Sequence, residues 1–263
     1  MAEAKKKEVT EKAEPEQKEV AEKPETNVST VSLFEADAES MGEVLDQDDV
    51  KIPFLKIDKD NGTICQEVTG QQWSSDEGVT VIPCAYQRVF IEWAPRGTGP
   101  GAPVNIFQKD EPRPETKRDP STNKDMIVDG NGNYIEETHQ HFVLIKQEDG
   151  NLEAALIAMK STQLKKSRAW NTVVSSRTMQ GANGLFKPPR FAYTYKLTTQ
   201  HENNTKGDWW GWSVELGESL AESNQVLAYQ QAREFAKSIR AGDVVVKHEQ
   251  EGDDDSSSDD VPW

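Results

Sequence analysis

The sequence predicts a mainly β protein, a β-rich α+β fold in which antiparallel strands make a small barrel with an inserted helix and a C-terminal helix. Three observations predict it. Turn residues separate paired β-branched and aromatic runs at three places. A weakly helical stretch lies between the second pair and the third, and an amphipathic run with helical spacing follows the last pair.

Residues 1–50 carry fifteen acidic and six basic groups with repeated Lys-Glu-Pro wording, a composition that predicts a disordered acidic arm. Within it, Val31 to Met41 holds enough apolar character for a short helix or docking segment. From Lys51 the text changes. Ile52 to Ile57 and Thr63 to Cys65 flank Asp58-Lys59-Asp60-Asn61-Gly62, whose Asn-Gly pair marks a first hairpin.

Val79 to Trp93 is dominated by β-branched and aromatic residues. Val79, Val81, Pro83 and Ala85 alternate there against Thr80, Ile82, Cys84 and Tyr86, which predicts two strands or one strand bent at Pro83. Residues 95–133, rich in Pro, Gly, Asp and Lys, read as a long functional or mobile loop, suited to a flap. His141 to Lys146 and Leu152 to Met159 bracket Glu148-Asp149-Gly150-Asn151 as a second hairpin. Phe191 to Thr199 and Trp209 to Leu216 bracket His201 to Asp208 as a third.

Ser161 to Met179 is the weak helix between them. After the third hairpin, Ser219-Leu220-Ala221-Glu222 reads as a capping box. Leu220, Leu227, Ala228, Ala232, Phe235, Ala236 and Ile239 keep helical spacing, and Gly242 supplies the C-cap. This inventory is that of an OB-fold-like antiparallel barrel, and an open antiparallel α+β sheet gives the same signals. The expected organisation is an acidic arm (1–50), one domain (51–247) and an acidic tail (248–263).

Charge is segregated along the chain. The total of −16 resolves into −9 over residues 1–50, −7 over residues 248–263, and zero over residues 51–247. An acidic total therefore does not exclude nucleic acid, because the local patch decides. Cys65 and Cys84 have neither C-x-x-C spacing nor a secretory leader and read as reduced core thiols of a cytoplasmic protein. No apolar run reaches the length of a membrane span, so no membrane association is expected.

Ala154 to His201 contains no Asp or Glu, yet holds Lys160, Lys165, Lys166, Arg168, Arg177, Lys187, Arg190 and Lys196. Interleaved are Trp170, Phe186, Phe191, Tyr193 and Tyr195. Single-stranded nucleic acid binding needs both kinds of group: cations that track phosphates and release counterions, and ring faces on which unpaired bases stack. In Phe191-Ala192-Tyr193-Thr194-Tyr195 the period of two puts three rings on one face, which serves either as stacking platform or as core. Of the alternating Trp209, Trp210 and Trp212, two are expected in the core. Arg88, Trp93 and Arg96 border the long loop and form a second candidate surface.

Enzyme signals are weak. Gly97, Gly99 and Gly101 sit among prolines with no helix pattern after them, and no Walker sequence occurs. His139 and His141 alternate so that both could face one metal, and Glu136, Glu137, Asp125 and Asp129 could be imagined around two, but neither set has a supporting pattern. No enzymatic activity, cofactor or metal is expected.

The tail His248 to Trp263 has seven carboxylates, no Lys or Arg, and ends Asp259-Asp260-Val261-Pro262-Trp263. An indole beside a free carboxylate on an anionic leash suits a basic-rimmed pocket on another protein. These five residues resemble the acidic tails of bacterial single-stranded DNA-binding proteins, with Val and Trp in place of Ile and Phe, and the tail is similar in kind to that of the phage T7 type. Val79 to Gly97 resembles phage proteins.

The resemblance implies a phage single-stranded DNA-binding protein in the host cytoplasm, compatible with a homodimer. Its tail would compete for the DNA groove and recruit replication or recombination proteins. The alternatives are a strand-annealing protein or mediator, an acidic adaptor or DNA mimic acting on host proteins, and, last, a nuclease.

Overall fold

The computed structural model describes residues 51–250 apart from 205, 206, 224 and 245. The expected arm 1–50, the segment Val31 to Met41, and the tail from residue 251, with Asp259, Asp260, Val261, Pro262 and Trp263, lie outside the described residues.

The described residues open with β1 (Leu55–Ile57), β2 (Ile64–Gln66) and β3 (Gln72–Trp73), a small antiparallel sheet. Its first turn is closed by the Asp58 carboxylate, which accepts the Asp60 amide at 2.8 Å. Gly62 follows with φ +73°, and a Cβ there would run into the Trp210 ring.

Next come β4 (Val79–Trp93), β5 (Asn105–Gln108), β6 (Thr116–Arg118), β7 (Asp125–Ile127), β8 (Tyr134–Lys146) and β9 (Leu152–Lys160). Helix α1 (Gln163–Ser176) and the short hairpin of β10 (Met179–Gly181) and β11 (Gly184–Phe186) follow. A 3-10 turn at Arg190–Ala192 leads into β12 (Tyr193–Asn204) and β13 (Gly207–Ser219), and α2 (Val226–Ala241) comes last.

Among the described residues, β13-β12-β4-β8-β7-β6 form one antiparallel sheet, with β5 added to β4 and β9 to β8. The described residues are thus mainly β, with a curled half-barrel sheet and two helices among them. The three sequence hairpins are β1/β2, β8/β9 and β12/β13.

Alternation builds two layers of core. Val143 and Ile145 of β8 with Ala155, Ile157 and Met159 of β9 face α1 and its buried Trp170. Leu144 and Ile82 face Ala232 and Ala236 of α2, while Phe142, Leu156 and Ala85 meet Ile239 further along the same helix. Gly242 ends α2 in the left-handed conformation with its N–H on the Ile239 carbonyl at 3.2 Å.

Some expectations hold and others change. β4 takes the second of its two expected forms, one strand disturbed at Pro83: its pairing with β8 slips between Pro83 and Ala85, so Cys84 is an extra residue. Ile82 and Ala85 consequently share the α2 side, whereas Tyr86, opposite His141, joins Val79 and Val81 on the α1 side. Residues 95–133 are no single loop. β5, β6 and β7 extend the sheet, and the buried Glu92 carboxylate ties Asn105 and Asn133 to β4 at 2.7 Å each.

The capping-box residues do not begin α2. Ser219 still belongs to β13, Leu220 fills core, and helix starts at Val226, leaving Leu227 exposed. His248 to Gln250, grouped by composition with the tail, pack on the body. His248 is buried beside Phe54 with Gln140 at 2.6 Å, and the Gln250 side chain donates to the Ala94 carbonyl at 3.1 Å. Among the described residues no helix is long and apolar enough to cross a membrane.

Candidate nucleic-acid interface

α1 carries the first part of the interface. Leu164, Ser167 and Trp170 are its buried positions; Lys165 and Thr172 lie exposed outside that stripe, and Arg168, exposed at its edge one turn after Leu164, reaches back toward the sheet. At its C-terminal end the Arg177 Nε donates to the Val173 carbonyl at 3.3 Å, and Lys187 Nζ reaches the Ser175 carbonyl at 3.0 Å. These bonds hold the β10/β11 hairpin against the helix end, with Leu185 and Phe186 exposed.

The second part is the α1 side of β4 beyond the bulge. Tyr86, Arg88 and Phe90 are successive residues on that side, each partly exposed. Glu137 of β8 binds Arg88 Nε at 2.8 Å and lies 3.7 Å from Arg168 of α1. Its Oε1 also meets His139 Nε2 at 2.9 Å. That hydrogen bond, with the Arg88 charge, holds the Glu137 carboxyl below the usual range despite burial.

Behind this surface lies a polar knot. His139 Nδ1 and His141 Nε2 each stand 2.7 Å from Ser167 Oγ. The His141 ring stacks on Trp170 at 4.4 Å and 13°, and Tyr195 closes on Trp170 at 5.8 Å. Burial, and then the nearby Arg190 and His139, push the His141 pKa well below its ordinary value, so it is a neutral imidazole.

A carboxylate, an imidazole and a hydroxyl in series superficially match the constellation of nucleophilic catalysis. Ser167 is fully buried and shared between two rings, so no substrate reaches its oxygen. The series fastens α1 to the sheet. Among the described residues no group of three His, Cys, Asp or Glu is arranged to hold a metal.

The candidate residues divide accordingly. Lys165, Arg168, Arg177, Phe186, Lys187, Arg190 and Arg88 lie on α1, on the segment after it, or on the α1 side of the sheet. Arg190 is partly buried, donating to Asn171 Oδ1 at 2.5 Å. Lys166 is paired with Glu202, and Lys160 lies 3.8 Å from Glu136. Lys196 is exposed on β12 beside Thr194, on the side away from the Tyr195 ring.

Three rings are corrected: Trp170, Tyr195 and Trp93 are buried and offer no face to a base. Tyr193 is half-buried against the same core as Tyr195, while Phe191, in the 3-10 turn, packs beneath α2 rather than with them. Trp212 is core, and Trp209 and Trp210 are partly buried. The second surface does not assemble either. Trp93 points to the opposite side from Arg88 and donates to Glu136 at 3.3 Å, and Arg96 borders a cleft beside it. Phe90 and Arg113 escaped notice in the sequence, although Phe90 continues the alternation from Tyr86.

Residues 22–245 match the family model described as Pam3 phage gp34-like protein. No curated protein and no solved structure matches the chain.

Proposed function

The chain belongs to the Pam3 phage gp34-like protein family, and from that premise we propose that it binds single-stranded DNA without sequence preference during phage replication or recombination. The observation that carries the reading is the exposure of Lys165, Arg168 and Lys187 within a 48-residue stretch, Ala154 to His201, that contributes no carboxylate. Surfaces normally mix signs, and a one-sign stretch favours a polyanion. Each cation that meets a phosphate releases counterions, which supplies affinity without reading a base.

The tail adds regulation to this reading. A tethered polyanion has a high effective concentration at a cationic surface and competes with DNA there. DNA binding would free Val261, Pro262 and Trp263 for a replication or recombination partner. The activity is binding, with no turnover, and its place of action is the cytoplasm of the infected host.

The test is fluorescence anisotropy of an oligo-dT with the full chain and with a chain ending at Gln250, at two salt concentrations. The cut follows Gln250 because His248 and Gln250 are anchored in the body. Salt-sensitive binding that tightens on truncation is the expected result. Binding by neither chain would remove the reading.

A further inference from the structure

We propose that Phe90, flanked by Arg88 and Arg113, is the place where an unpaired base stacks. The inference rests on the DNA-binding reading above and names its base contact, which none of the buried rings can supply.

Phe90 is unusual for its position. Its neighbours Val89 and Ile91 are almost fully buried on the α2 side, while its own ring stays partly exposed on the side that faces Arg168 of α1. The Arg113 guanidinium carbon lies 3.4 Å from the ring centroid, the separation of stacked planar groups, and the Arg88 carbon lies 5.1 Å away. The position therefore already accepts a flat, delocalised group on the ring.

Arg113 is exposed and belongs to the segment between β5 and β6, so it can yield the ring face to a base and keep its charge beside the phosphate. Phe107, opposite Phe90 in register, extends the apolar floor. Four residues upstream Tyr86 is half-exposed on the same side, with the Arg190 guanidinium 5.5 Å from its ring. The two rings stand roughly 13 Å apart along the strand, far enough to serve separate bases. Arginines thus accompany both rings, as cations and bases share the same preference for a π face.

A purely structural arginine–phenylalanine contact would tie down the segment after β5 and do nothing else, so the test must separate the two. The full chain is titrated with an oligo-dT and with an abasic oligonucleotide of equal length, beside Phe90→Leu, Phe90→Tyr and the double variant Lys165→Gln/Lys187→Gln. Phe90→Leu is expected to lose about tenfold or more on oligo-dT and to stay within about twofold on the abasic strand. Phe90→Tyr, which keeps a ring face, retains wild-type affinity, and the lysine variant weakens both strands alike.

Equal affinity of Phe90→Leu and wild type for oligo-dT, or equal losses on both strands, overturns the stacking role while leaving DNA binding intact. Failure of the wild-type chain to bind either strand overturns the DNA-binding reading and this inference with it.

Discussion

The two halves of the β4–β8 ladder are built from the same strands and have opposite fates. Before the bulge, Val79 and Val81 of β4 meet Val143 and Ile145 of β8 under one cover, while Ile82 and Leu144 meet α2 under another. Beyond it only one side stays apolar, where Val89, Ile91, Trp93 and Tyr134 make a small separate core. The other side carries Tyr86, Arg88 and Phe90 against Glu137 and His139. The comparison teaches that a long strand can be scaffold at one end and recognition surface at the other, provided the join is rigid. Here the join is the Ser167–His139–His141 knot with Trp170 stacked on it.

Removing the join should produce the largest effect. Trp170→Ala empties a fully covered site and is expected to cost about 3–5 kcal/mol of stability, measured by urea unfolding. The same experiment on Phe90→Leu should show well under half that loss. Comparable losses would erase the distinction between the two halves.

Acid should act next. Burial, then the Lys160 charge, lowers the His248 pKa to about 4, and His141 shifts in the same direction. A histidine whose folded pKa is depressed contributes stability that is fully present above its unfolded value of about 6.5 and is lost as pH falls below it. For His248 the loss accumulates between about pH 6.5 and 4 and reaches on the order of 3 kcal/mol. His248→Gln should flatten the decline in that window, read as Tm against pH.

Ser167→Ala sharpens the comparison more gently. It leaves nitrogens of His139 and His141 buried without their shared hydroxyl, an expected cost of about 1–3 kcal/mol with little change in DNA affinity at saturation of the fold. The smallest effect is electrostatic: Lys165→Gln should leave unfolding within about 0.5 kcal/mol of wild type. On the DNA-binding reading it should reduce the slope of log affinity against log salt by about 0.7.

Local chemistry made much of the fold legible. The three hairpins, α1 and the Gly242 cap are announced by turn residues and periodicity within a dozen positions of themselves. The bulge was not, because Cys84 is apolar like its neighbours and the slip shows only against β8. β5, β6 and β7 were hidden for a related reason. They are short, largely exposed segments whose strand character depends on pairing with distant residues such as Val89 and Ile135.

At the candidate interface, the missing carboxylates of Ala154 to His201 were readable, but not that Glu137 of β8 approaches Arg168 or that Glu202, one residue past the stretch on β12, pairs with Lys166. Period two marked Tyr195 as facing one side and could not say that Trp170 covers it.

The extra residue at Cys84 has a consequence of its own. Parity is the reading frame of a strand, and this residue is a spatial frameshift within it. Ironing out the bulge with Cys84 retained, so that the alternation of the first half ran unbroken through to Trp93, would send Val89 and Ile91 to the side of α1 and Tyr86, Arg88 and Phe90 to the other. Such a chain would not be a weakened copy of this protein. Its two surfaces would have exchanged their contents.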